Sequence, residues 1–241
     1  MSAETLAGRR GIALFDLDHT LLPMDSDYAW GHFTTAIGWT DSPQFKQRNE
    51  DFYAHYQAGT LDVHAYVRFA TQAVRLQGQA KALAARERFM QEIIAPAIRP
   101  EALALLQLHR ERGDQIVIIT ATNEFVTRPI ATALGVDELI AIELELELEL
   151  ERDTATGSSG WLTGEIIGVP SFRAGKVLRF ESWLAERHWR RDSVDVTFYT
   201  DSINDLPLLE KADHPVATNP DEKLRAVALK RGWRILELFN T

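Results

Sequence analysis

The stretch that most constrains this chain is residues 11–22, GIALFDLDHTLL. Gly11 to Phe15 form a short apolar run of the kind that fills a strand buried on both faces. The run stops at Asp16 and Asp18, one residue apart, so an extended backbone would direct both carboxylates to one side, in the loop beyond the strand end. Two like charges so close require a cation, a shared proton or full exposure to water. The plainer alternative is an acidic turn that only ends a strand, since Asp is an ordinary strand stopper.

The 241 residues suffice for one large domain or for a core carrying a smaller one. A net charge of −9, with no long cluster of Lys and Arg, argues against nucleic acid as the main partner and for a small substrate. The chain has no cysteine, so disulfides and thiolate metal sites are excluded and any metal must be held by oxygen or imidazole. The apolar run behind Arg9-Arg10 meets Asp16 too soon to be an export signal, and no apolar stretch reaches membrane-spanning length. A cytoplasmic protein without a membrane partner is the expectation.

Residues 25–95 change texture. Helical spacing dominates and aromatics recur, among them Tyr28, Trp30, Phe33, Phe52, Tyr53, Tyr56, Tyr66 and Phe69. Asp41-Ser42-Pro43 and Gly59-Thr60-Leu61-Asp62 offer breaks with capping residues, so the block is expected to be a helical insert of several segments. Most of its aromatics would build a small core, and a few could line a pocket. Pro96 and Pro100 mark the return. A helix over 100–112 ends at Gly113, and a second buried strand from Gln115 runs into Thr120, followed by a helix from Glu124 that closes at Gly135. The Thr120 hydroxyl can serve as a helix cap, worth about 1 kcal/mol, or bind an anion at a helix start.

Residues 142–151, IELELELELE, alternate strictly and predict a strand with one solvated face. In a helix the same glutamates would stack unfavourably four residues apart. Residues 153–160 would turn and Trp161 to Ile167 return as the partner strand. A helix over Phe172 to His188 carries Gly175-Lys176 near its start; a lone lysine there is ordinarily solvated. A third strand, Val194 to Tyr199, again ends in acid, with Asp201, Asn204 and Asp205 ahead of Pro207, which fits only the first turn of a helix. A strand over 212–219, a helix over 221–231 and a strand over 233–239 complete the pattern.

Strands alternating with helices imply a doubly wound, mainly parallel α/β sheet, whose ligands bind beyond the carboxyl ends of the strands. Three such ends carry Asp16 with Asp18, Thr120, and Asp201 with Asp205. Oxygen groups gathered on one edge describe a hard-cation and phosphate site.

DLDHT at 16–20, the strand ending in Thr120, Lys176, and DSINDLPLL at 201–209 resemble, in order and spacing, the four motifs of the haloacid dehalogenase-like superfamily. WLTGEIIG at 161–168 and ADHPVATNPDEKLRAVA at 212–228 are most similar to its phosphoserine-phosphatase-like branch, subfamily IB. His19 and Thr200 depart from that pattern, where a small residue and a glycine are commoner. The resemblance implies a Rossmann-like core over 1–22 and 96–241, with a helical cap over 23–95 inserted after the first strand. It also implies a Mg²⁺-dependent phosphomonoester hydrolase acting on a small phosphorylated metabolite. Asp16 would be the nucleophile, forming an aspartyl-phosphate, and Asp18 the general acid and base. Mg²⁺ would be held by Asp16, the Asp18 carbonyl and Asp201, with Asp205 steadying its water. Thr120, Lys176 and Asn204 would contact the phosphoryl group. Phosphoserine phosphatases carry a glutamate after the first motif that accepts the substrate's amino group. Asp25 stands at that position, with Asp27 nearby; Asp25 could equally cap the first cap helix. A phosphotransferase or mutase of the same fold, and more remotely a receiver-like phospho-acceptor domain, are the alternatives.

Overall fold

The computed structural model describes residues 8–40, 43–147 and 161–239. Its centre is a six-stranded parallel sheet made of β1 (Arg10–Phe15), β2 (Gln115–Asn123), β3 (Glu138–Ile142), β6 (Val194–Thr200), β7 (His214–Thr218) and β8 (Arg234–Leu236), in the order β3-β2-β1-β6-β7-β8. From β1 the chain winds outward through β2 to β3, then returns to β6 and winds the other way. The switch of direction therefore falls between β1 and β6, where parallel sheets open a crevice at their carboxyl ends. Register sets what meets there: Phe15 pairs with Tyr199 on one side and Ile118 on the other, so Asp16, Thr200 and Thr120 follow within two residues.

Strand alternation divides the core into two layers. Ile12, Leu14, Val117, Ile119, Val196 and Phe198 face α9 (Ala174–Glu186), α10 (Leu206–Leu209) and α11 (Glu222–Arg231), burying Phe180, Leu184, Leu209 and Leu224. Ala13, Phe15, Ile116 and Ile118 face the other way, onto Leu105 and Leu106 of α7 (Pro100–Arg112) and Val126 and Ile130 of α8 (Glu124–Ala133). Gly113 ends α7 with a left-handed cap and Pro100 starts it, as expected from the sequence.

Between β1 and α7 stand α1 (Ser26–Ala36), α2 (Pro43–Ala58), α3 (Val63–Ala70), α4 (Gln72–Gln77), α5 (Gln79–Phe89) and the three-residue α6 (Ala95–Ala97), the last two joined by a π-helical turn at Met90–Ile94. This insert has its own aromatic cluster, in which Trp30 lies 5.2 Å from Phe89 and 5.8 Å from Phe125 between ring centroids. The contact with Phe125 joins the insert to α8 of the sheet layer. The Leu-Glu stretch is not one elongated strand: Ile142 ends β3, and Leu144–Leu146 form β4, antiparallel to β5 (Leu162–Ile166), with Leu146 exposed. Residues 148–151 of that repeat and the expected turn over 153–160 lie outside the described residues, as do Asp41 and Ser42 of the first expected break. The hairpin stands off the main sheet and rests on α3 and α4: Arg68 pairs with Glu165 at 3.2 Å and the Trp161 indole donates to the Val74 carbonyl. Gly164 suits β5 because its φ of 94° is one that L side chains rarely adopt. Among the described residues no helix is long and apolar enough to cross a membrane.

Candidate active site

Asp16 follows β1 directly and its amide donates to the Tyr199 carbonyl, so β6 fixes where the carboxylate begins. Lys176, in the first turn of α9, reaches back under the sheet edge. Its Nζ lies 2.8 Å from Asp16 Oδ1 and 2.6 Å from Asp205 Oδ2, with all three residues at most 4% exposed. Thr200 also donates to Asp205 Oδ2, at 2.7 Å, which gives the threonine that departs from the branch pattern a definite role. Burial works against the Lys176 charge, yet Asp16 and Asp205 hold its pKa above the ordinary value.

One ammonium cannot neutralise the carboxylates around it. Burial raises Asp16 above the usual carboxylate range despite Lys176, and raises Asp205 to about 6. Asp201 is raised well above that range, first by burial and then by Asp16 and Asp205. The cluster is short of positive charge, and this is the property that fits a hard divalent cation. Among the described residues no three carboxylates or imidazoles converge as a ready-made ligand sphere, and the Lys176 ammonium bonds to both Asp16 and Asp205. Mg²⁺ suits such an edge: it takes one or two carboxylates and fills its octahedron with water and substrate phosphate oxygens.

Asp18 accepts from the Ser26 amide at 2.7 Å and from the Thr122 hydroxyl at 3.0 Å, while burial and then Asp25 raise its pKa to about 6. Asp16, Asp18, Thr120 and Asp25 line one cleft with Tyr56 and Phe172. Its space between atoms, open mouth included, is about 570 Å³. Thr120 does not cap α8: β2 runs on to Asn123, whose side chain accepts from the Val126 amide. The Thr120 hydroxyl instead accepts from the Thr122 amide. Asp25 does cap α1, accepting from the Tyr28 amide at 2.8 Å, and lines the cleft as well. Asn204 spends its amide on the Tyr56 carbonyl at 2.9 Å, tying the cap to the loop after β6. Thr122 and Thr200 are not among the site groups expected from the sequence, where Asp27 stands only beside Asp25; the T-A-T spacing at 120–122 is the local signal that could find Thr122.

The haloacid dehalogenase-like hydrolase model matches residues 13–210, and the chain belongs to that family. It is similar to a histidinol-phosphatase of Neisseria meningitidis, 39% identical over 94% of this chain and 98% of the relative. A structure of a Bordetella pertussis protein of unknown function superposes with a TM-score of 0.85 at 40% identity, covering 96% of this chain and all of that one. A phosphoserine phosphatase captured as a phospho-aspartyl intermediate analogue shares the fold, with a TM-score of 0.62 at 17% identity over 96% of this chain and 95% of the other.

Proposed function

We propose that this enzyme is a Mg²⁺-dependent phosphomonoesterase that hydrolyses a small phosphorylated, amine-bearing metabolite through an aspartyl-phosphate on Asp16. The observation that carries the reading is the sharing of the buried Lys176 ammonium between Asp16 and Asp205 at the switch point of the sheet. A carboxylate held there by one ammonium is oriented for attack without being hydrogen-bonded on every side. One Asp16 oxygen would bond to phosphorus as the ester P–O bond breaks, and the departing alkoxide would take a proton from Asp18. Asp18, then a carboxylate, would remove a proton from water, whose oxygen displaces Asp16 and releases inorganic phosphate. A pKa near 6 suits a group that must both give and accept a proton near neutrality. Thr120 and Lys176 would hold phosphoryl oxygens as charge redistributes. Asp16, the Asp18 carbonyl and Asp201 would hold Mg²⁺, and Asp205 would steady its water; when bound, the ion would offset the charge on the carboxylates and the phosphoryl oxygens. Asp25 would accept the substrate's amine, in keeping with the similarity to a histidinol-phosphatase.

The test is turnover of p-nitrophenyl phosphate with Mg²⁺ by wild type, Asp16→Asn and Asp18→Asn. Asp16→Asn should stay folded by circular dichroism and lose at least ~10³ in kcat, the scale of losing a covalent nucleophile. Asp18→Asn should be slow and show a mass gain of one phosphoryl group in intact mass spectra. Near-normal turnover by Asp16→Asn would remove it from that role.

A further inference from the structure

The wall of the cleft built by α1, α2 and α3 has an unusual composition. Asp25 and Asp27 enter it from the start of α1, among the rings of Tyr28, Phe52, Tyr53, Tyr56 and Tyr66. Among the described residues that line the cleft there is no lysine, arginine or histidine. Asp27 is 6% exposed, and its named partners are neutral: the Tyr66 hydroxyl and, at 3.5 Å, the Asn123 amide. Asp25 is committed to capping α1, but Asp27 has no such duty. Its place in the first turn of α1 would give a favourable dipole contact in water, whereas here it is removed from water without a cation.

We propose that this cleft selects a phosphate ester of an amino alcohol, carrying a cationic nitrogen group and no carboxylate, and that Asp27 is the second anionic contact for that group, positioned by Tyr66. The inference rests on the phosphatase reading above and deepens it. A buried carboxylate without a cation of its own is a standing cost that a cationic substrate removes. Electron-rich ring faces around it add cation–π attraction for an ammonium or a protonated heterocycle, and stacking area for a flat one. The Tyr28 and Tyr53 rings lie 5.2 Å apart, and those of Phe52 and Tyr66 5.3 Å apart, so the rings stand in two packed pairs. A substrate carboxylate would meet Asp18, Asp25 and Asp27 with no basic side chain in the lining to offset it. Rejection by unpaired like charge is the stronger half of such selectivity. An amino acid phosphate and the corresponding amino alcohol phosphate should therefore be told apart. Burial pushes Asp27 up to about 7, consistent with a carboxyl that gains its full charge only when a cation joins it.

The experiment compares kcat/KM of the full chain with Mg²⁺ on ethyl phosphate, phosphoethanolamine, O-phosphoserine and L-histidinol phosphate, with p-nitrophenyl phosphate alongside. Phosphoethanolamine and phosphoserine differ by one carboxylate. Phosphoethanolamine should exceed both ethyl phosphate and phosphoserine by ~10-fold or more, and histidinol phosphate should be the best of the series. Asp27→Asn should narrow the ratio of phosphoethanolamine to phosphoserine by ~10-fold, chiefly through KM. Tyr66→Phe, which keeps the ring and removes the hydroxyl, should narrow it by ~3-fold. Phosphoserine turned over as well as phosphoethanolamine by wild type would overturn the proposal, as would a ratio unmoved by Asp27→Asn; if that variant does not fold, the wild-type series and Tyr66→Phe decide. No hydrolysis of any ester, p-nitrophenyl phosphate included, would mean that the phosphatase reading has failed. The selectivity would then be read by calorimetry, where L-histidinol should bind at least ~10-fold more tightly than L-histidine and equal affinities would overturn it.

Discussion

Arg173 donates from Nη1 to the Gly59 carbonyl at 2.6 Å, so the residue that opens α9 grips the loop that ends α2 of the cap. Three residues later α9 supplies Lys176. The placing of the insert at Gly59 and the position of the ammonium shared by Asp16 and Asp205 are thus set by one short segment. Arg173 holds this place with φ 52 and ψ −123, a conformation that costs a residue with a Cβ. Arg173→Ala should raise KM for small esters by ~10-fold with a smaller effect on kcat, because closing contacts act mainly on retention of substrate. Arg173→Gly should lose the same clamp yet be about 1 kcal/mol more stable than Arg173→Ala, as thermal melts would show, since glycine accepts the positive φ freely.

Gly175 is constrained by contact rather than by φ. A Cβ there would fall 2.0 Å from the Pro170 carbonyl oxygen, so Gly175→Ala must displace the turn that delivers Lys176. We expect a loss of about 1–3 kcal/mol in denaturant unfolding. Turnover should fall by ~10–100-fold, because Lys176 is the next residue and the chemistry tolerates little misplacement.

Metal binding should be visible without turnover. With three carboxylates around one ammonium, Mg²⁺ at ~100-fold over its Kd should stabilise the fold by about 2–3 kcal/mol, roughly 5–10 °C in Tm for a chain of this size. Asp201→Asn should remove most of that gain, and excess chelator should return the wild type to its metal-free Tm. A Tm indifferent to Mg²⁺ in calorimetry would count against the metal assignment.

Asp27 makes a pH prediction of definite sign. Burial raises its pKa from 3.8 to about 7 in the folded chain. The folded state therefore holds this proton from about pH 4 to 7 while the unfolded chain has released it, so the contribution of Asp27 to stability falls as pH rises through that window. Above pH 7 the full cost of the buried charge remains, about 1–4 kcal/mol on the linkage scale. Asp27→Asn should thus raise Tm at pH 8 and leave it nearly unchanged at pH 4. Equal gains at both values would show a packing effect and not a titration.

The local transitions of the chain were legible from the sequence alone. Apolar runs that break into Asp16-Leu17-Asp18 and Asp201 mark buried strands ending in polar loops, because that change of residue type is a local property; Thr120, expected at a strand end, lies within β2, which runs on to Asn123. Parallel strands then bring those ends to one edge. Over 142–151 the alternation predicts one strand with a solvated face; the structure instead ends β3 at Ile142 and gives β4 only Leu144–Leu146, with Leu146 exposed. What the tertiary structure decided are partnerships between distant residues: Lys176 with an aspartate 160 positions away, Asn204 with the Tyr56 carbonyl, the hairpin of β4 and β5 with α3 and α4, and Tyr66 with Asp27. Helical spacing assigned the cap aromatics to a small core as readily as to a pocket, because it places residues on a face without saying what that face meets. Only the packing of α1, α2 and α3 over the sheet edge brings Tyr28, Tyr53 and Tyr66 around two carboxylates, and the charge balance of that cleft is a property of its whole lining.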